Sequence, residues 1–253
     1  GSSAGAAIMS RVMIGEGSNR GVVSRGVRFG YEGYDELMEE DNPCVPLLIA
    51  RGLGFFPEGV VDQHFNKRPR LLRAIETCLS NAEGMRVGFA VSEDTALVYR
   101  AGEIEVLGSA CVYVIDCRNA VKLGLGNYEG IVLSSLQKGD RYDARTGKIA
   151  LAREEDHKQY EYTSDYVSGG IPGSTAFDEM IDKYLFHCKR ETLYFCARRN
   201  KPYFKGAAVY EADDKTYLVV PEYFIGENTA GYMGECASFK DLELAIKTVE
   251  VRV

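Results

Sequence analysis

The sequence predicts an α/β fold followed by an α+β extension, and three observations carry that expectation. The chain opens on Gly1-Ser2-Ser3-Ala4-Gly5-Ala6, whose Gly-x-Ser-x-Gly spacing suits a sharp turn from a strand into a helix, because the glycines remove side chains that would block it. Short apolar, β-rich runs then recur around a well-marked amphipathic helix. The 253 residues, 45% hydrophobic and 26% charged, lie within globular norms and suffice for one large domain or two modest ones.

In chain order, residues 4–14 pass from small to apolar side chains and read as a helix packed close under a sheet, with the Ala4 N–H as the first donor toward an oxyanion. From Gly15 to about Pro43 the chain is glycine-rich and charged, longer than a simple connection needs, and reads as a lid-like excursion. Residues 47–56 are apolar and end at Pro57; a strand then leads to Asp62 and His64, and residues 70–79 form the amphipathic helix. Short β-rich runs follow at 87–91, 95–99, 104–107 and 112–115, separated by glycines and acidic turns. Residues 151–253 form the extension. It begins with a charged stretch at 153–158 and a Gly/Ser/Pro segment at 168–174, then a helix at 175–188. Strands follow at 192–197, 207–210 and 216–220, the last two pairing across 211–215, and a helix or strand at 239–249 closes the chain. Tyr160, Tyr162 and Tyr166 read as packing residues of this part.

Ser3 is the leading candidate for an activated hydroxyl. His64 follows a short apolar run and is trailed by Arg68, Arg70 and Arg73; an imidazole there can take the Ser3 proton while a carboxylate holds its other nitrogen. That carboxylate is Glu93 or Asp94, an acidic pair between two β-rich runs, with Glu16 in reserve.

Together these segments resemble the cyanophycinase family of serine peptidases, whose relatives include the aspartyl dipeptidases. The resemblance rests on residues 1–6, on Val61-Asp62-Gln63-His64-Phe65 with its trailing arginines, and on Ser92-Glu93-Asp94-Thr95-Ala96-Leu97; the middle segment is the most specific. It implies a parallel-sheet core of the flavodoxin-like or class I glutamine amidotransferase-like kind. It further implies a catalytic portion over residues 1–150, a triad of Ser3, His64 and Glu93, and a substrate pocket lined by Asp62, Gln63, Arg68, Arg70 and Arg73. The implied reaction is hydrolysis of aspartyl-arginine polymer to β-aspartyl-arginine dipeptides, with no cofactor. The alternatives are a narrower aspartyl dipeptidase and a non-catalytic binding protein of the same fold. In the family the nucleophile motif sits mid-chain after a strand, so an upstream segment or second chain is expected to complete the sheet before Gly1; a homodimer is left open.

The balance of 30 basic against 37 acidic residues, a net charge of −7, disfavours nucleic acid as a partner, since phosphate recognition calls for a basic surface. The arginines after His64 are a local exception, and guanidinium groups bind carboxylates bidentately. No run approaches the ~18 apolar residues that cross a bilayer, so no membrane partner is expected. Seven widely spaced cysteines, without a C-x-x-C pair, fit reduced thiols in a cytoplasmic setting and give no zinc site. With three histidines, only Glu154-Glu155-Asp156-His157 clusters acids with an imidazole, and it reads as a solvated charge run rather than a metal site.

Overall fold

The computed structural model describes residues 1–18, 21–22, 25–30, 45–65, 68 and 70–152, together with seven strands between residues 167 and 249. The expectations placed on residues 31–44, the charged stretch at 153–158, the tyrosines at 160, 162 and 166, and the helix at 175–188 lie outside the described residues.

A one-turn helix α1 (Ala4–Ala7) leads to β1 (Val12–Glu16), β2 (Val27–Phe29), β3 (Leu47–Arg51), β4 (Val60–Asp62), helix α2 (Leu71–Ser80) and β5 (Val87–Val91). The hairpin β6 (Thr95–Arg100) and β7 (Glu103–Gly108) precedes β8 (Val112–Asp116), β9 (Val121–Gly124), β10 (Asn127–Leu136), β11 (Arg141–Asp143) and β12 (Lys148–Ala150). Beyond these come β13 (Val167–Ser168), β14 (Tyr194–Cys196), β15 (Ala208–Ala212), β16 (Lys215–Pro221), β17 (Tyr232–Met233), β18 (Cys236–Ala237) and β19 (Phe239–Val249).

Thirteen strands form one sheet in the order β13-β14-β15-β16-β19-β10-β8-β5-β4-β1-β3-β2, with β9 paired to β10; a second sheet runs β12-β11-β7-β6. The large sheet is mixed rather than wholly parallel. Parallel pairing joins β1 to β4 and β4 to β5, whereas β5–β8, β8–β10 and β10–β19 are antiparallel. The cause lies in the connections. Parallel neighbours need a crossover of about a dozen residues, which α2 supplies between β4 and β5. The link from β5 to β8 goes out and back as a hairpin, returning the chain to the end of the sheet it left, so β8 runs the other way. The strand β19 adds to the free side of β10, and β15 and β16 form a hairpin with Ala212 opposite Lys215.

The helix expected over residues 4–14 stops after one turn, and Val12–Glu16 is a strand instead. Val12, Met13 and Ile14 find partners on both sides, antiparallel to β3 and parallel to β4, and this pairing overrides the helical reading of a short apolar run. The same pairing places the start of the expected lid, residues 15 and 16, inside the sheet.

The strand β5 shows how the layers are sorted. Val87 and Phe89 join the cluster of Phe56, Val61, Ile104, Val106 and Tyr142 that fills the space toward the second sheet. On the opposite face Gly88 lies under α2, where a Cβ would come 3.2 Å from Cys78 Sγ. Phe89 packs edge-on against Phe56 at 5.2 Å and Tyr142 at 5.5 Å between ring centroids, and burying such a ring contributes about 2–3 kcal/mol. Helix α2 buries Leu71, Leu72, Ile75 and Cys78, an i, i+1, i+4, i+7 stripe. It ends at Asn81, whose side chain donates to the Thr77 and Met85 carbonyls and accepts the Met85 N–H.

Candidate active site

The parallel strands β4 and β5 end on the same edge of the sheet, and the loops after them carry His64 and Glu93. Such carboxyl ends are where open α/β sheets place their ligands. Ser3 comes to this edge on the turn into α1 with φ 52° and ψ −127°, a conformation that costs a non-glycine residue about 1–3 kcal/mol. The turn leaves no room for a side chain at Gly1, whose Cβ would stand 1.8 Å from the Gly5 carbonyl oxygen.

Ser3 Oγ lies 2.9 Å from His64 Nε2, and His64 Nδ1 lies 2.8 Å from Glu93 Oε1. A carboxylate can only accept, so Nδ1 carries the proton and donates it to Glu93, which leaves Nε2 of a neutral ring free to take the serine proton. His64 also has a positive φ, 50°. The next residue, Phe65, is buried, donates its N–H to the Val91 carbonyl, and packs its ring 5.3 Å from that of Tyr113.

Glu93 is fixed by its turn. Thr95 Oγ1 donates to the Glu93 carbonyl at 3.1 Å and accepts the Ala110 N–H, while the Ser109 N–H reaches the Asp94 carbonyl. Gly108 permits this approach, since a Cβ there would meet the Asp94 oxygen at 2.1 Å. Asp94, the other acid of the pair, takes φ 53° and borders the same cavity.

That cavity has a volume of about 690 Å³, in the range of small-molecule sites. Ser3, Gln63, His64 and Glu93 form its polar side; Met9, Phe55, Phe56 and Leu97 form its apolar wall. Phe55 is 68% exposed. Tyr99 also borders the cavity, donating its hydroxyl to Glu58 at 2.7 Å, and that bond to a carboxylate holds the phenol above its ordinary pKa.

Of the remaining expected site residues, Arg68 is exposed and Ala4 begins α1, and neither is among the residues bordering the cavity. Asp62, Arg70 and Arg73 are buried behind it. Asp62 accepts the Gln63 N–H at 2.8 Å and both Nε and Nη2 of Arg73; Arg73 Nη1 donates to the Gly17 carbonyl at 2.7 Å, and Arg70 donates to the Gln63 carbonyl. Sequence reasoning missed Ser10, which is buried and staples three segments. Its hydroxyl lies within hydrogen-bonding distance of the Ala7 and Val12 carbonyls and accepts the Val61 N–H. A serine between two apolar stretches was the available signal. Among the described residues no cluster of His, Cys, Asp or Glu has the makeup of a metal site.

A hydroxyl, an imidazole and a carboxylate in hydrogen-bonded series at the strand ends of an α/β sheet have the geometry used by serine hydrolases. The comparisons with known proteins narrow the class. A cyanophycinase from Geminocystis herdmanii is 31% identical over 155 residues, 58% of this chain and 49% of that protein. A cyanophycinase from Synechococcus elongatus is 28% identical over 158 residues, 59% of this chain and 42% of the relative. One from Trichormus variabilis is 34% identical over 117 residues, 46% of this chain and 32% of the relative. No family model matches the chain. The chain is thus a relative of the cyanophycinases, and it spans about half the length, or less, of these curated relatives.

Proposed function

We propose that this chain carries the catalytic portion of a serine-type peptidase that hydrolyses aspartyl-arginine polymer to β-aspartyl-arginine dipeptides. The observation that carries the reading is the series Ser3–His64–Glu93, with contacts of 2.9 and 2.8 Å, in a chain similar to cyanophycinases. Ser3 Oγ attacks the peptide carbonyl as His64 Nε2 takes its proton; Glu93 stabilises the imidazolium, and the Ala4 N–H helps hold the oxyanion. The proton then passes to the leaving amine as the C–N bond breaks, and water, deprotonated in turn by His64, releases the acyl group from Ser3. The substrate pocket is assigned to Asp62, Gln63, Arg68, Arg70 and Arg73, of which Gln63 borders the cavity. In this reading residues 1–150 are the catalytic portion of a flavodoxin-like core, supported by the parallel β1-β4-β5 segment, and residues 151–253 are an extension of it. The buried thiols of Cys78, Cys111 and Cys117 support a reducing, cytoplasmic setting.

The test is product analysis. The intact protein is incubated separately with the polymer and with β-aspartyl-arginine dipeptide, and the products are read by mass spectrometry. Dipeptide accumulating from polymer, with added dipeptide left uncut, is the expected result. Cleavage of the dipeptide alone assigns a dipeptidase instead, and no hydrolysis of either overturns the reading.

A further inference from the structure

We propose that Phe55 and Asp94 form a subsite for a guanidinium group and so select the arginyl side chain of the substrate; this rests on the peptidase reading above. The charged side chains bordering the cavity are Glu93 and Asp94, both carboxylates, and no lysine or arginine is among the described residues of its wall. Glu93 is committed to His64 at 2.8 Å. Asp94 is exposed, and among the described residues its carboxylate has no hydrogen-bond or ion-pair partner. A third carboxylate, that of Glu58, stands behind the wall, where it accepts the Tyr99 hydroxyl at 2.7 Å. A cleft lined by one sign of charge concentrates the opposite sign. An aspartyl-arginine unit brings a carboxylate and a guanidinium, and this wall repels the first and attracts the second.

Phe55 supplies an aromatic face to the same cavity. Its ring is 68% exposed and meets no other ring among the described residues, whereas the neighbouring Phe56 is buried edge-on against Phe89 and Tyr99. The exposure does not come from a loose backbone. The N–H groups of Leu53 and Phe56 donate to the Ile8 and Met9 carbonyls, both at 2.8 Å, and Phe56 bridges to Ser10, so the segment is laced to the chain between α1 and β1. A large apolar ring is thereby held open beside an anionic wall. A guanidinium is the cation that uses both: it is planar, stacks on an aromatic face and forks onto a carboxylate, whereas an ammonium is a compact, strongly hydrated point charge.

The experiment measures binding apart from hydrolysis. A short oligomer of β-aspartyl-arginine units, and its counterpart with citrulline, whose urea group is neutral and of the same shape, are titrated by calorimetry into the intact protein carrying Ser3→Ala. The titrations are repeated with Asp94→Asn, Phe55→Leu or Phe55→Tyr added. Asp94 sits at φ 53°, which asparagine also tolerates, so Asp94→Asn removes the charge and leaves the turn. Both positions are exposed, and the variants should fold as the parent does, which circular dichroism checks. The arginyl oligomer should bind about 10-fold or more tightly than the citrullinyl one. Asp94→Asn should cut that preference by roughly 3–10-fold and Phe55→Leu by roughly 2–5-fold, while Phe55→Tyr, which keeps the aromatic face, should retain it. An absent preference, or one that survives Asp94→Asn or Phe55→Leu, overturns the inference. Cleavage of both oligomers by protein with Ser3 intact is read separately: no cleavage, with the preference and its losses as expected, removes the peptidase reading and leaves the subsite standing.

Discussion

Replacing Ser10 by alanine tests how the nucleophile turn is tied to the sheet. The Ser10 hydroxyl has one proton, given to the Val12 carbonyl at 2.6 Å or the Ala7 carbonyl at 3.0 Å, and it accepts the Val61 N–H at 3.2 Å. Ser10→Ala removes one donated bond, worth about 1 kcal/mol, and takes an acceptor from a buried N–H, at about 1–3 kcal/mol, so about 2–4 kcal/mol is lost in all. For a chain of this size each kcal/mol moves the melting temperature by roughly 2–4 °C, which places the expected drop at roughly 4–16 °C. The assay is thermal unfolding followed by circular dichroism. The three stapled groups belong to α1, which carries the chain on from Ser3, to β1, and to β4, which leads to His64. The folded variant is therefore also expected to hydrolyse more slowly than wild type. A melting temperature within about 1 °C of wild type, the behaviour of a surface site, would refute the reasoning.

Tyr128→Phe is expected to cost about 1.5–3 kcal/mol in denaturant unfolding, because the buried Tyr128 hydroxyl donates at 2.6 Å to Glu76, itself buried in α2. The thiol of Cys78 is held well above its usual pKa by its hydrogen bond to Cys117 and by burial; it should resist alkylation in native protein and react once denatured, as mass spectrometry of the labelled peptide will read. Burial pushes the Asp116 carboxyl up, but hydrogen bonds from Arg118 outweigh it and hold the pKa below the usual aspartate value. Since the folded pKa is the lower one, this stabilisation is present above roughly pH 4 and fades as pH falls through the folded value. Stability measured against pH should therefore show Asp116→Asn and wild type converging only in acid.

The strands were legible where the local pattern had one meaning. Residues 87–91 and 112–116 alternate or run apolar between turn signals, and both are strands; residues 71–80 repeat with the period of a helix and are one. Residues 8–14 were not, because a short apolar run fits either period and only the partners β3 and β4 decide it. At the site, the nucleophile turn was visible because Gly1, where a Cβ would stand 1.8 Å from the Gly5 carbonyl oxygen, is demanded by the turn. Choosing between Glu93 and Asp94 from the residues alone was beyond the sequence, since the bonds that hold their turn come partly from Ser109 and Ala110, in the turn between β7 and β8 about fifteen residues away. Asp62, Arg70 and Arg73 were assigned to a substrate pocket from the resemblance and from the affinity of guanidinium groups for carboxylates. Their mutual pairing, eleven residues apart between Asp62 and Arg73, appears only once β4 and α2 are folded together.

Hydrolysis by Ser3→Ala, His64→Ala and the double variant of the intact protein, measured as kcat on the polymer under saturating substrate, tests the Ser3–His64–Glu93 assignment most directly. Residues that act as one unit are non-additive, so each single variant should lose about 10³–10⁶ in kcat and the double variant little more. Wild-type turnover by folded Ser3→Ala would contradict it, because no proton relay through His64 could then be carrying the reaction.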